Sequence, residues 1–418
     1  MLSQMWQELW VGLFIVLIII GLFAGQGILI AFGVMGLVVS GSSWAWGRIA
    51  LQEVTYERRL GTKRAFIGEE VALSVTLTNG KPFPLPMIKV EDEIPEAVQV
   101  LGTDLAVSPS SHTRSLRHRT AMAWYERVTW DYRLVCMQRG YFKLGPASLD
   151  SGDIFGFFES QGRSNKVDYL LVFPRIVPLP ENVIPGARPM GDVRTGSPIY
   201  QELSRPAGVR DYQRGDALKS IDWKNSARMQ RLQTRIYEPS SNVTAVMAVA
   251  VDTTGHHWEG YSPQLTERVV TVAASLASQA MERRVSLGMF SNGASASSDR
   301  VLRIPASRDP DQLHLILESL ATLRPIVLAP IERQLSEESR MLPVGATLVL
   351  VAARMAPELQ ETLQRVRLRG HPVSVVYVGD GETPKIADDI VVYDFSEYMA
   401  SLEGDWPEMQ PRKKREAA

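Results

Sequence analysis

Cysteine is nearly absent from this sequence, and its scarcity excludes several classes of protein. Cys136 is the one cysteine among 418 residues, so an internal disulfide and a cysteine-pair metal site are both excluded. A single thiol is compatible with the cytoplasm, because disulfide-rich chains are typical of export. The chain also lacks an excess of either charge, with 45 Lys and Arg against 46 Asp and Glu. This balance gives no indication of nucleic acid as a partner.

Charge is almost missing from the first 47 residues, where Glu8 is the one charged side chain. The stretch 11–39 is apolar or small throughout apart from Gln26, and it is longer than the roughly 20 helical residues that cross a bilayer. Glycines on both sides of Gln26 indicate a tight turn. We therefore predict a transmembrane α-helical hairpin over 1–47. A single tilted span and a cleaved signal peptide are the alternatives, and the missing N-terminal Lys or Arg disfavours the signal peptide.

Basic residues return directly after the hairpin. They are Arg48, Arg58, Arg59, Lys63 and Arg64. Cytoplasmic flanks of membrane helices are enriched in Lys and Arg. We therefore expect the hairpin to lie in the inner membrane of the cell and the soluble domains to lie in the cytoplasm.

The soluble part of the sequence changes character twice. Residues 48–172 contain short alternating segments such as 70–78, followed by the turn signal Asn79-Gly80, and this pattern predicts an all-β sandwich. A proline-rich connector with a polar clasp motif is expected over 173–242. Apolar runs then alternate with helical periodicity over 243–402, which predicts an α/β domain with a mostly parallel sheet. A polar basic tail covers 403–418.

None of the catalytic patterns G-x-S-x-G, Walker A and H-E-x-x-H occurs in the sequence. One loop nevertheless offers metal-binding chemistry. Asp252 follows the apolar run 243–251, and Thr254, His256 and His257 come soon after it. A carboxylate and hydroxyls at the end of a central strand are oxygen ligands of the kind that Mg²⁺ prefers.

The order of these elements, with an acidic residue ending the first strand, resembles a von Willebrand factor A domain. That family carries an ion site of the form D-x-S/T-x-S, of which Asp252 and Thr254 match the first two positions. His256 stands at the second serine position, and 348–354 lacks the further Asp of the family. The resemblance implies a degenerate site. We expect no resident cofactor, with Mg²⁺ at Asp252 and Thr254 as the alternative.

A longer motif lies upstream, in the segment 209–228. It resembles the signature of the bacterial domain-of-unknown-function family 58, a family of membrane proteins with such an A-like domain. The matching residues are Arg210, Tyr212, Gly215, Asp216, Ile221, Asp222, Trp223, Lys224, Ser226, Ala227 and Arg228. A second segment, 139–146 (RGYFKLGP), resembles another signature of the same family.

The polar clasp motif has a physical interpretation of its own. Gly215 permits a tight turn and Asp216 suits a helix cap, while Trp223 is expected to be a buried anchor. Asp222, Lys224 and Arg228 are expected to form a network facing the Asp252 loop. Three roles stay open for the motif: locking the connector to the sheet, recognising a partner, and catalysis.

The family resemblance also implies a function. Its members resemble adaptors that work with MoxR-type AAA+ ATPases, often beside transglutaminase-like membrane proteins. We therefore expect a non-catalytic, membrane-anchored adaptor that presents the A-like domain in the cytoplasm. An assembly scaffold without an ATPase partner and a metal-assisted hydrolase using the Asp252 loop are the alternatives.

Overall fold

The chain divides into two compact units, Met1–Phe173 and Pro174–Ala418. The structure is a computed structural model. It describes residues 2–152, 159–181, 183–184, 201–213, 220–239, 244–254, 260–295, 298–343, 345–384, 386 and 389–405.

The first unit begins with a helical hairpin, formed by α1 (Leu2–Ala24) and α2 (Gly27–Ile49). Gly25 adopts a positive φ of 63° in the turn, a conformation that glycine reaches at little cost. By length and composition, α2 could cross a membrane, and α1 contains the shorter apolar stretch Val11–Ala24. The expected break within the apolar run is therefore present in the structure.

Small residues on α2 bring the two helices close together. Added Cβ atoms at Gly33 and Gly36 would overlap the side chains of Ile18 and Phe14, respectively. Ser40, further along the same helix, is also buried. Small side chains at a helix interface permit close backbone packing, which is how apolar helices associate where burial from water gives no driving force.

Twelve strands follow the hairpin among the described residues of the first unit. They are β1 (Val54–Leu60), β2 (Arg64–Phe66), β3 (Glu70–Asn79), β4 (Leu85–Pro95), β5 (Val98–Val100), β6 (Ala106–Val107), β7 (Thr113–Met122), β8 (Arg127–Cys136), β9 (Gly140–Leu144), β10 (Ala147–Gly152), β11 (Glu159–Ser164) and β12 (Asp168–Phe173). They form sheets of order β1-β3-β8-β5, β11-β10-β4-β7-β6 and β2-β12-β9. The prediction of many β-strands in this region is confirmed.

We call the β-strand part of the first unit, residues 54–173, the β unit. A buried ion pair crosses its interior. Arg58 contacts Asp92 through Nε at 2.9 Å and Nη2 at 2.5 Å, and both side chains are almost completely buried. Arg58 Nη1 also donates to Leu144 O at 3.0 Å and to Asp168 Oδ2 at 2.9 Å. The Tyr56 hydroxyl donates to Asp92 Oδ2 at 2.7 Å. Every polar group of the pair therefore has a partner, as buried charge requires.

The surroundings of the Arg58–Asp92 pair shift the pKa values of Arg58 and of the neighbouring Tyr56. Burial opposes the charge on Arg58, but the hydrogen bond and charge of Asp92 outweigh it and hold the pKa of Arg58 above its ordinary value. Burial, and then the charge of Asp92, raise the pKa of Tyr56 well above its ordinary value. Gly145, with φ of 84°, lies where a Cβ would be 2.6 Å from Arg58 Nη2. The segment 139–146 thus ends in a turn that leaves room for a guanidinium group.

A buried lysine joins α2 to the β unit. Lys81 is 4% exposed, and its ammonium donates to the carbonyl oxygens of Ile49 at 2.9 Å, Ala50, and Gln52 at 3.1 Å. Helices end with unpaired carbonyl groups and a partial negative charge. Lys81 satisfies both at the end of α2, while its own burial lowers its pKa.

The second unit contains nine strands and six helices among its described residues. They are β13 (Gln201–Asp211), α3 (Trp223–Met229), β14 (Gln233–Pro239), β15 (Thr244–Val249), α4 (Pro263–Glu282), β16 (Ser286–Ser295), β17 (Ser298–Ser307), α5 (Gln312–Ala321), β18 (Leu323–Val327), α6 (Ile331–Glu338), β19 (Thr347–Ala352), α7 (Pro357–Leu368), β20 (Val373–Tyr377), β21 (Val391–Asp394) and α8 (Ser396–Leu402).

Seven of these strands form one mixed sheet, which confirms the predicted α/β character of this region. Its order is β17-β16-β15-β19-β20-β21, with β18 paired to β16. Strands β16, β15, β19, β20 and β21 are parallel, whereas β17 and β18 run antiparallel to β16. Helices α6 and α7 pack on one face, with buried strand residues such as Val246 and Leu350. The largely buried α4 contacts β15, β16 and β19.

The described part of the segment before this sheet contains regular structure from Gln201 onward. Strands β13 and β14 pair antiparallel, with register shifts near Pro206, and α3 lies between them in sequence. The prolines that predict an irregular path precede this pairing, and residues 174–181 form no helix or strand, whereas Gly208–Asp211 pairs regularly with Gln233–Ile236. Prolines therefore interrupt the ladder without abolishing it, because only their own amide cannot donate.

The Arg58–Asp92 pair generates a stability prediction. Arg58→Ala should destabilise the chain by about 3–5 kcal/mol, because it leaves a buried carboxylate without its partner. Arg59→Ala is the matched control, since Arg59 is 81% exposed and meets Glu57 at 3.8 Å, a surface contact of small effect. Thermal melting of the full chain in detergent measures both. Equal melting of the two variants would contradict a structural role for the pair.

Candidate functional site

The centre of the mixed sheet forms a cleft where two parallel strands meet. Strands β15 and β19 are neighbours at the centre of the sheet. On the far side of β15 the sheet continues with β16, and on the far side of β19 it continues with β20. This is a topological switch point, and ligands of open α/β sheets bind at the carboxyl ends of the strands there. Asp252 follows β15 and Arg354 follows β19, so both line the cleft.

The cleft has a volume of about 510 Å³. Its described lining residues combine three carboxylates with one guanidinium group. They are Val251, Asp252, Thr253, Thr254, Gly260, Tyr261, Pro325, Ile326, Val327, Pro330, Glu332, Arg354, Ala356 and Glu358. The described lining is therefore polar and acidic by formal charge, with Arg354 as its one cation.

A buried asparagine orients Asp252. Asn292, on the neighbouring strand β16, is completely buried. Its Nδ2 donates to Asp252 Oδ1 at 2.8 Å, and its Oδ1 accepts from the amide of Val251 at 2.8 Å. Sequence reasoning missed Asn292, although Ser291-Asn292 is a polar interruption in an otherwise apolar strand. Such an interruption is a signal, because buried polar side chains require partners.

The threonines of the loop are engaged in holding its shape. Thr254 Oγ1 donates to Gly260 O at 2.8 Å. Thr253 Oγ1 accepts from the amide of Ser262 at 2.8 Å, and Ser262 caps the N-terminus of α4. Both hydroxyl groups therefore shape the return of the chain into α4. His256 and His257, which the sequence placed on the same loop, lie outside the described residues.

The donor set of this cleft does not fit a Mg²⁺ ion. Asp252 already accepts a hydrogen bond from Asn292, the Thr254 hydroxyl is bonded to a carbonyl, and Arg354 adds positive charge to the same cleft. Among the described residues, no group of three His, Cys, Asp or Glu side chains could hold a metal ion. Mg²⁺ needs about six oxygen ligands in near-octahedral geometry, so the pair Asp252 and Thr254 is insufficient.

The polar clasp motif is built around the start of α3. Asp222 is the N-cap residue, and its Oδ1 accepts from the amides of Lys224 and Asn225, each at 3.1 Å. Arg235 Nε lies 3.2 Å from Asp222 Oδ2. The amide of Asn225, and then Arg235, hold the pKa of Asp222 below its ordinary value.

Strand β14 completes the attachment of α3. The hydroxyl of Ser226 donates to Asp222 O at 2.7 Å and accepts from the amide of Gln233 at 2.9 Å. The Gln233 side chain donates to Asp211. The amide of Tyr212 donates to Leu232 O at 2.9 Å, and the guanidinium of Arg210 donates to Asp211 O at 3.2 Å. Backbone and short polar side chains therefore fix this helix.

The expected burial of Trp223 is wrong. Its side chain is 67% exposed, and no residue of α3 is buried. The physical reason is that hydrogen bonds attach the helix, so an apolar anchor is not required. Lys224 and Arg228 are also exposed, and Asp222 pairs with Arg235 in place of them. Gly215 and Asp216 lie outside the described residues.

The cleft generates a prediction about metal. Millimolar Mg²⁺ or Mn²⁺ should leave the melting temperature of the full chain in detergent unchanged, because Arg354 and Asn292 leave too few free oxygen ligands. A ligand present at about 100 times its dissociation constant would add roughly 2.7 kcal/mol, which melting detects. A shift that Asp252→Ala abolishes would show a functional ion site and contradict the assignment of a degenerate one.

The family match lies in the second unit. Residues 208–395 match the family described as "Protein of unknown function DUF58", a range that includes the clasp motif and the mixed sheet. A relative from Bacillus subtilis, "Uncharacterized protein YeaD", is 27% identical over 290 residues. That alignment covers 69% of this chain and 67% of the relative.

Two similar solved structures each cover a short part of the chain. The CARDB domain of a Pyrococcus furiosus protein, crystallised with di-metal ions, is 14% identical with a TM-score of 0.19. It covers 28% of this chain and 91% of that domain. Spo0M, a sporulation control protein from Bacillus subtilis, is 15% identical with a TM-score of 0.17, over 29% of this chain and 49% of its own. Similarity this low carries no argument about fold or function.

The clasp motif and the mixed sheet lie within the range that matches the DUF58 family. Residues 208–395 of this chain are therefore similar to the DUF58 family, and the chain as a whole is similar to a Bacillus protein over 290 residues.

Proposed function

We propose that this chain is a non-catalytic adaptor, anchored in the inner membrane, that binds a cytoplasmic partner through the exposed side of the clasp motif. The exposure of Trp223 carries this proposal. Burying a large aromatic side chain is favourable, and exposed Trp and Arg side chains are enriched among the residues that dominate binding energy. Trp223 and Arg228 supply both types on one short helix.

The clasp motif divides its residues between two tasks. Asp222 and Ser226 face inward to hydrogen-bond the backbone. Arg228, in contrast, has no ion pair or hydrogen bond within the described residues, and Met229 beside it is 67% exposed. Short polar residues that fix a helix and large residues that point outward are the arrangement of a preorganised binding surface, which lowers the entropic cost of association.

The helical hairpin supports the membrane anchor. Its outer surface is apolar, with Phe23 91% exposed, Ile28 75% exposed and Val38 65% exposed. Contiguous exposed apolar surface of this kind is unfavourable in water and favourable in lipid. The basic residues from Arg48 onward favour a cytoplasmic location for both soluble units. Arg58 is buried after folding, but it contributes to this charge bias because orientation is decided while the chain is inserted.

The mixed sheet supports an A-like domain that binds without chemistry. Its strand order, its central cleft and Asp252 at the switch point are compatible with a von Willebrand factor A-like fold. Among the described lining residues, no serine, cysteine or histidine joins Asp252, and the Thr254 hydroxyl donates to Gly260 O, so no nucleophile paired with a base is present among them. The alternative of a metal-assisted hydrolase has no supporting observation in the cleft.

The family resemblance indicates which partner to test first. A MoxR-type AAA+ ATPase is the proposed partner, and a transglutaminase-like membrane protein is a further one. A scaffold that has no ATPase partner would use the same exposed surface with a different protein, so direct binding separates the two.

The proposal predicts a specific loss of binding. Trp223→Ala and Arg228→Ala should each weaken capture of a MoxR-type ATPase from the same genome by at least about tenfold, since truncated hot-spot residues cost roughly 2 kcal/mol or more. Neither variant should change the melting temperature, because both side chains are exposed. Affinity capture with the detergent-solubilised full chain, followed by melting, measures both effects.

Matched control variants are available on the same unit. Leu368 is 86% exposed, and Arg340 is exposed without an ion pair in the described part of the chain. Leu368→Ala and Arg340→Ala should bind normally. Absence of ATPase binding by the unmodified chain would contradict the adaptor function, and equal binding by all four variants would contradict the clasp surface.

A further inference from the structure

One end of the β unit carries both the junction to α2 and two exposed loops. The first residue of β1, Val54, pairs with Asn79 at the end of β3, and Leu85 at the start of β4 pairs with Met122 at the end of β7. The loops 80–84 and 123–126 therefore lie at the end where the chain enters from α2. We call these two loops the junction loops.

The junction loops expose three aromatic side chains. Phe83 is 48% exposed, Trp124 is 65% exposed and Tyr125 is 66% exposed. Most aromatic residues of a folded domain contribute to its core, where they bury large areas. Three exposed aromatic residues on adjoining loops indicate a surface that something else covers.

The loops are held rigidly. Asn79 is completely buried, and its side-chain amide donates to Phe83 O at 2.9 Å and to Ala123 O at 2.8 Å, so one residue ties both loops together. The amide of Ala123 donates to Glu126 Oε2 at 2.5 Å. Tyr125 adopts a positive φ of 55°, a strained conformation for a residue other than glycine. The surrounding bonds maintain this strain and keep the aromatic rings outward.

The same loops are bonded to the end of α2. Lys81, in the first junction loop, caps the carbonyl groups of Ile49 and Gln52, and the amide of Tyr125 donates to Lys81 O at 3.3 Å. The ring of Phe83 meets Trp46 of α2 edge to face, with 6.3 Å between centroids. The junction loops are thus continuous with the last turn of the helix.

The last turn of α2 has the composition of a membrane–water interface. The Arg48 guanidinium lies 4.0 Å from the centroid of the Trp44 ring, and Trp46 follows on the same helix. Tryptophan and tyrosine are enriched at the headgroup level, and basic residues lie just outside it. Because Phe83 contacts Trp46, the junction loops lie beside this last turn of α2.

We propose that Phe83, Trp124 and Tyr125 form a second membrane contact, seated in the headgroup region of the leaflet where α2 ends. The inference rests on the proposed membrane anchoring of the hairpin and adds to it. The occupant is lipid, because the rings adjoin an interfacial helix end and because Trp and Tyr combine an apolar body with a polar tip. The β unit would then lie against the bilayer.

Spin labels on the full chain test the proposal. In a Cys136→Ala background, which removes the one native thiol, Trp124→Cys and Tyr125→Cys are labelled with a nitroxide. The protein is reconstituted in vesicles of phosphatidylethanolamine and phosphatidylglycerol. Collision rates with oxygen, which concentrates in lipid, and with a water-soluble nickel chelate report the depth of each label. We expect a ratio of oxygen to nickel collisions several-fold above that of a label in water.

Two control positions separate the possible outcomes. Val107→Cys is the aqueous control, because Val107 is 88% exposed and precedes β7, whose ten residues place roughly 30 Å between its two ends. Val38→Cys on α2 is the lipid control. Labels at 124 and 125 that match Val107 while Val38 matches lipid would overturn the second contact alone.

The remaining outcomes are also decisive. Labels at 124, 125 and 38 that all match water would overturn the membrane anchoring itself, and the second contact with it. Labels at 124 and 125 that are shielded from both oxygen and nickel would show that protein covers the loops, either a second copy or another partner, and this would overturn the lipid occupant.

Discussion

The buried ammonium group of Lys81 and the final carbonyl groups of α2 form the contact on which the arrangement of the first unit depends. A helix end needs donors for its unpaired carbonyls, and a buried ammonium needs acceptors for its protons. Each satisfies the other, with Ile49, Ala50 and Gln52 as the acceptors. Separating α2 from the β unit would leave the Lys81 ammonium without these acceptors, so the contact fixes the end of α2 against the β unit.

Much of this architecture could be predicted from the sequence, because it depends on local patterns. The glycines beside Gln26 indicated the break between the helices, and alternation in 70–78 indicated a strand. The key tertiary contacts could not be predicted. Lys81 follows an Asn-Gly turn and resembles any exposed loop lysine, while Arg58 belongs to a basic run that normally stays in water. Their burial depends on carbonyl and carboxylate partners that are distant in sequence or that arise only from chain geometry.

In the second unit, too, the sequence predicted the local features of the candidate sites but not the contacts between distant residues. Asp252 at a strand end was predictable, since the apolar run before it identifies a central strand. Asn292, which orients Asp252, and Arg354, which adds positive charge to the cleft, come from other strands. Their positions could not be predicted. Trp223 was misjudged because aromatic residues are usually buried. Here Asp222 and Ser226 fix the helix by hydrogen bonds, which leaves the aromatic side chain available for a partner. The clasp is consequently a hydrogen-bonded structural support, and its exposed face is the one proposed to bind a partner.

The proposed adaptor function requires that the hairpin keep both soluble parts of the chain on the cytoplasmic side of the membrane. Reporter fusions after Lys414 measure this directly, with a matched insertion of the same reporter at Gln26 in the hairpin turn. We expect alkaline phosphatase to be inactive after Lys414 and active at Gln26, and a green fluorescent reporter after Lys414 to be bright. Active alkaline phosphatase after Lys414 would contradict this topology and the function that depends on it.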